Sequence, residues 1–152
     1  MTSVVLFVCT GNLCRSPLGE ALLRAHLGQA GVTDWRVASA GTHAVVGDPV
    51  PEDGRRIAEE HGVDVSDHAA RQLQPGMVRE ARFVLCATRQ HVAEALQLAP
   101  DVDPARITLM TEASFAYAGW DVPDPYMRSE RTWREVYDVL DEATGRWVER
   151  HA

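Results

Sequence analysis

Residues 4–17 read Val4-Val5-Leu6-Phe7-Val8-Cys9-Thr10-Gly11-Asn12-Leu13-Cys14-Arg15-Ser16-Pro17. The apolar run Val4 to Val8 does not alternate with polar residues, which is the pattern of a strand covered on both faces by helices in a parallel sheet. Ser16-Pro17 then opens a helix, with serine suited to the cap position and proline to the first helical position. Leu18, Ala21, Leu22 and Ala25 follow at helical spacing, and Gly31 ends the segment. A strand joined to a helix by so short a loop is the opening unit of an α/β fold.

The same alternation continues down the chain. Trp35 to Ser39, Arg82 to Ala87 and Ile107 to Met110 read as further strands. A second helix is expected from about Pro51 to His61, with Glu52 and Asp53 at its positive end and Gly62 as its stop. A third follows Thr88, which serves as its cap, and runs to Pro100. Ser129 caps the last, along which Trp133, Val136, Tyr137, Leu140 and Trp147 share one face. The expected architecture is therefore a three-layer open α/β sheet of about four parallel strands with helices on both faces. Its ligand site should lie at the strand C-terminal ends. Trp35, Trp133 and Trp147 read as core, and Trp120 as packing beneath the segment 122–129.

With 152 residues, the chain is expected to form one domain spanning 1–152. Apolar residues are 45% and charged residues 24%, values of an ordinary globular protein with a packed core. The net charge of −7 offers no general attraction to nucleic acid or to an anionic membrane, so any phosphate site must be local. Five apolar residues at the start are too few for a signal peptide or a membrane span. Three cysteines, at 9, 14 and 86, cannot all pair, which points to a reducing cytoplasm. None has the spacing of a zinc site, and no metal or cofactor is expected. Cys86, inside an apolar run, reads as core.

The loop between the first strand and the first helix is where an anion would bind. Backbone N–H groups of such a loop converge on an oxyanion, and the following helix adds its unpaired amides. Arg15 supplies a planar fork for two phosphate oxygens. Cys9 ends the strand at the floor of this cradle, where the positive surroundings favour its thiolate. A thiolate beneath a bound phosphate is placed for in-line attack on phosphorus, which would give a phosphocysteine. The competing reading makes Cys9 a buried small hydrophobe and Arg15 a surface charge. The pair, however, brackets Gly11 and Asn12, residues that accept unusual backbone angles.

Ester cleavage also needs an acid for the leaving oxygen. In Val122-Pro123-Asp124-Pro125-Tyr126 the flanking prolines stiffen a loop able to hold the Asp124 carboxyl over the site. A bare Asp-Pro is also a common turn, and Asp121, three residues earlier, is the control.

VLFVCTGNLCRSP is similar to the signature of the low-molecular-weight protein tyrosine phosphatases. The likeness continues in VASAGT (37–42), DVSDHAARQL (64–73) and VPDPYMRS (122–129), and so covers essentially the whole chain. The resemblance implies that Cys9 is the nucleophile, Arg15 the phosphate clamp and Asp124 the general acid and base. It makes Ser16 a hydroxyl that hydrogen-bonds the thiolate, and Thr10, Gly11, Asn12, Leu13 and Cys14 the phosphate-binding loop. Asn12 would be supported by Ser39 and His68, with Arg71 a further structural support. Tyr126 would line the mouth, facing His43, where the run His43 to Val46 replaces the family's usual aromatic and is one residue shorter. Cys14 would form a reversible disulfide with Cys9. The implied substrate is phosphotyrosine in proteins, which places a tyrosine kinase upstream and a monomeric enzyme in the cytoplasm.

Three rival readings share parts of this pattern. A thioredoxin-linked arsenate reductase shares the loop but needs two further cysteines near the third strand, where only Cys86 stands. A phosphoprotein-binding module would not need Cys9, Arg15, Ser16 and Asp124 together. A flavodoxin-like nucleotide binder would need neither the cysteine nor the arginine.

Overall fold

A computed structural model describes residues 2–152. The elements in chain order are strand β1 (Ser3–Cys9), helix α1 (Arg15–Gln29), β2 (Trp35–Gly41), α2 (Glu52–Glu60), α3 (Pro75–Glu80), β3 (Phe83–Cys86), α4 (Arg89–Leu98), β4 (Ile107–Leu109) and α5 (Glu130–His151). The four strands form one sheet in the order β2-β1-β3-β4, and every pairing is parallel.

Successive residues of a strand point to opposite faces, and β1 fills both. Val5, Phe7 and Cys9 pack with residues of α1, α2 and α5, whereas Val4, Leu6 and Val8 pack with Val78 of α3 and Ala95 of α4. This accounts for the unbroken apolar run, and the three-layer α/β arrangement expected from sequence is the one observed. Phe7 is fully buried and sits so close to Gly19 of α1 that a Cβ there would be 2.6 Å from its ring. Truncating a ring buried this completely costs about 3–5 kcal/mol, which sets the scale on which α1 is held to the sheet.

Three local expectations are corrected, and one helix is added. Helix α1 starts two residues early, at Arg15, with Cys14 at the cap position and no side-chain cap. Ser16 is not the cap because its hydroxyl is engaged by Cys9 and Asn12. Trp120 does not lie beneath the 122–129 segment: it is 61% exposed, its ring stands edge-on to Tyr117, and its carbonyl accepts from the Thr111 hydroxyl. Trp35 is half-buried at the sheet edge against Phe83 and Trp147, while Trp133 and Trp147 are in the core. Helix α3 has no clear sequence signal because six residues are too few to show a period, although Pro75 at its first turn marks its start. Thr88 caps α4 by accepting the His91 N–H. Among the described residues, no helix is long and apolar enough to cross a membrane.

Candidate active site

The segment 10–14 leaves the C-terminal end of β1 and enters α1, and its carbonyls are consumed on the outside. Cys9 O accepts from Thr42 N–H, Thr10 O from His43 N–H and Gly11 O from Val45 N–H, at 2.9 to 3.1 Å. Asn12 O lies 2.6 Å from His68 Nε2. Among the described residues, none of the backbone N–H groups of residues 10–14 has a protein acceptor. Backbone amides are rarely left unpaired inside a fold, so five free donors in succession on one short loop suit an anion.

Two features force this shape. Asn12 adopts φ 58°, a left-handed conformation that asparagine tolerates better than most residues. Gly41 ends β2 directly against the loop, where a Cβ would lie 2.4 Å from Thr10 O and 2.8 Å from Asn12 N. Both neighbours are backbone and cannot swing aside. Gly41→Ala is therefore expected to displace the loop and lower kcat/KM for p-nitrophenyl phosphate by about 10²-fold, since a displacement near 1 Å has that effect on a preorganised site. Steady-state kinetics beside a circular dichroism spectrum checks it; unchanged kcat/KM would show that this packing does not set the loop.

A directed chain of hydrogen bonds runs beneath the loop. A Glu20 carboxylate has only acceptors, so Ser39 O–H donates to Oε1 at 2.6 Å. Ser39 Oγ then accepts from Asn12 Nδ2 at 3.0 Å, and Asn12 Nδ2 also donates to Ser16 Oγ at 2.8 Å. The Asn12 amide is held in this orientation because its Oδ1 accepts the Arg71 backbone N–H at 2.9 Å. Ser16 is thereby left to donate its own proton to Cys9 Sγ, 2.9 Å away, a bond that stabilises a thiolate. Arg71 Nε donates to Ser39 O at 2.8 Å. Glu20 carries no motif in the sequence; its one signal is its place one helical turn after Ser16 on α1.

Arg15 is 5% exposed, and its Nη1 donates to Val122 O at 2.9 Å. Its Nη2 is 3.7 Å from Asp124 Oδ2, and its Nε has no protein partner among the described residues. A buried guanidinium so incompletely paired suits a phosphate ligand. Val122 N–H in turn donates to Ala87 O, so the segment carrying Asp124 is tied both to the end of β3 and to Arg15. Asp124 is 54% exposed, and its Oδ1 accepts the Tyr126 N–H at 3.1 Å.

A pocket of about 220 Å³ brings together Cys9, Thr10, Gly11, Leu13, Cys14, Arg15, His43, Val45, Asp124 and Tyr126. Of the residues singled out from sequence, Asn12, Ser16, Ser39 and His68 stand behind this wall as its braces. All three cysteines are free and buried. Burial pushes the Cys14 thiol well up, as do the Asp124 and Cys9 charges, and burial does the same to Cys86, so both are held as neutral thiols. Among the described residues, no group of three or more His, Cys, Asp or Glu side chains is arranged to hold a metal ion.

The chain is 35% identical over 150 residues to the low molecular weight protein-tyrosine-phosphatase Etp of Escherichia coli, covering 96% of this chain and 93% of the relative. The crystal structure of the tyrosine phosphatase AmsI of Erwinia amylovora superimposes with a TM-score of 0.88 at 35% identity, over 99% of this chain and 93% of that one. Wzb of Vibrio vulnificus, solved in complex with benzylphosphonate, gives 0.85 at 29% identity over 99% of both chains. Residues 4–151 match the family model of the low molecular weight phosphotyrosine protein phosphatases, and with relatives this similar over nearly their whole length the chain belongs to that family.

Proposed function

We propose that the chain hydrolyses phosphotyrosine in proteins through a phosphocysteine intermediate. The observation that carries this reading is the Cys9 sulfur beside a loop whose amides have no protein acceptor, 2.9 Å from the Ser16 hydroxyl, with Arg15 and Asp124 lining the same pocket. In the first step the Cys9 thiolate attacks phosphorus and the bond to the phenolic oxygen breaks. Asp124 delivers its proton to that oxygen. In the second, water attacks phosphorus, Asp124 takes the water's proton, and the S–P bond breaks to return the thiolate to Ser16. Arg15 and the loop amides hold the phosphoryl oxygens throughout, so no step draws on a metal or cofactor.

The pocket walls fit an aryl ester. Leu13, Val45, Tyr126 and the His43 ring flank the phosphate cradle and offer an aromatic ring apolar contact. Benzylphosphonate, the ligand of the Vibrio relative, has the same pairing of ring and phosphoryl group. The partners are then phosphotyrosine proteins and, upstream, the tyrosine kinase that makes them. The reading is completed by a single domain over residues 1–152, acting as a monomer in the reducing cytoplasm. There Cys14 is the neighbour able to trap an oxidised Cys9 as a reversible disulfide.

The test is phosphate release from a phosphotyrosine peptide beside phosphoserine and phosphoarginine peptides, in EDTA and a thiol reductant. Release from phosphotyrosine alone is expected. Binding of phosphopeptide without release would make the chain a recognition module, and preferential release from phosphoarginine would change the substrate class.

A further inference from the structure

His91 is 4% exposed and has no part in the chemistry above. It lies in the first turn of α4, and its ring joins two threonines from distant parts of the chain. Nε2 is 2.7 Å from Thr10 Oγ1, and Nδ1 is 2.9 Å from Thr88 Oγ1. Thr88, the cap of α4, already accepts the His91 backbone N–H at 3.3 Å. Burial, and after it the Arg15 cation, hold the imidazole below its usual pKa against the opposing charges of Glu94, Asp121 and Asp124. A neutral ring has one donor and one acceptor nitrogen. The ring therefore bridges the two hydroxyls, its donor nitrogen giving to one threonine and its acceptor nitrogen receiving from the other.

The other braces of the phosphate loop approach from one side. Asn12 is held through Ser39, His68 and Arg71, and the carbonyls of residues 9–11 through segment 42–45. Thr10, which directly follows the nucleophile, is held on the opposite side, where β3 gives way to α4, by the His91 ring. On the reading that this loop binds the phosphoryl group, we propose that His91 is a positioning residue that acts through the Thr10 hydroxyl to hold the first amide of the loop on the oxyanion. It tethers the phosphate loop to the start of α4 and touches no substrate atom itself.

The experiment measures the Kd for inorganic phosphate by calorimetry, which needs no turnover, so a failure of the catalytic reading is distinguishable from a failure of this one. Removing one oxyanion donor outright costs about 10²- to 10³-fold, and loosening one should raise the Kd by about tenfold. That rise is expected in His91→Ala and in Thr10→Val, with Thr10→Ser restoring tight binding because it keeps the hydroxyl. The double variant His91→Ala/Thr10→Val should bind no more weakly than either single one, because both cut the same tether. Thr10→Val needs no change in α4 and keeps the test open where His91→Ala does not fold. An unchanged Kd in Thr10→Val overturns the proposal, as does a Kd in the double variant equal to the product of the two separate effects.

Discussion

Cys9→Ser is expected to bind phosphate as tightly as the parent, to within a few-fold, and to lose turnover of phosphotyrosine peptide by about 10⁴-fold or more. The substitution exchanges one atom. It leaves the unpaired loop amides, the Arg15 clamp and the Glu20–Ser39–Asn12–Ser16 chain in place, so the oxyanion site survives. What it removes is the only group on the pocket floor that can become an anion under these donors. A serine hydroxyl keeps its proton at neutral pH, and the side chain against it, the Ser16 hydroxyl, is too weak a base to take that proton. Nor can another thiol take over. Burial keeps Cys14 and Cys86 protonated, and Cys86 is not among the residues lining the pocket. Calorimetry with phosphate and a phosphate-release assay on the same preparation give both readings. Turnover within a hundredfold of the parent would show that some other group attacks phosphorus.

The elements that a sequence shows directly are those whose signal is local. The unbroken apolar run Val4 to Val8 specifies a strand buried on both faces, and it is β1. The residues that bind an anion follow it without interruption, so the loop and its cysteine and arginine are legible together. Asp124 is legible because two prolines flank it, although nothing local ties it to Arg15; that tie is made by Val122, 107 residues away in sequence. The braces are a harder case. Ser39, His68 and Arg71 reach Asn12 across 27 to 59 residues, and in the sequence only the likeness to a known family points to them.

Where local reasoning failed, a local preference had been overridden by a tertiary demand. Ser16 has the residue type and the following proline of a helix cap, yet its hydroxyl is taken by Cys9 and Asn12, and the helix begins without a side-chain cap. Trp120 is large and apolar and so reads as buried, but the loop turns it outward against Tyr117. Glu20 and His91 carry no motif at all. Each reads as an ordinary helix residue until the fold sets Ser39 beside one and Thr10 beside the other.

Asp124→Asn is expected to separate substrates by leaving group. With phenyl phosphate, whose phenolate is a poor leaving group, kcat/KM should fall by about 10²- to 10⁴-fold, the range of a lost general acid. With p-nitrophenyl phosphate, whose leaving group departs without a proton, the loss should be far smaller. The ratio kcat/KM is the right quantity because it reports events up to formation of the phosphocysteine. The later hydrolysis step is common to both substrates and also uses residue 124, so kcat mixes the two roles. Asparagine preserves the local geometry: its side-chain oxygen still accepts the Tyr126 N–H that positions the aspartate. It removes the negative charge 3.7 Å from Arg15, which frees the guanidinium for phosphate and works against any loss from binding. A drop seen only with phenyl phosphate therefore isolates proton delivery. Asp121→Asn is the matched control, since Asp121 serves the start of α4 by accepting the Arg89 N–H at 3.0 Å, and it should change kcat/KM by no more than about twofold. Equal losses for the two esters in Asp124→Asn would take Asp124 out of the acid role and leave it as a partner that orients Arg15.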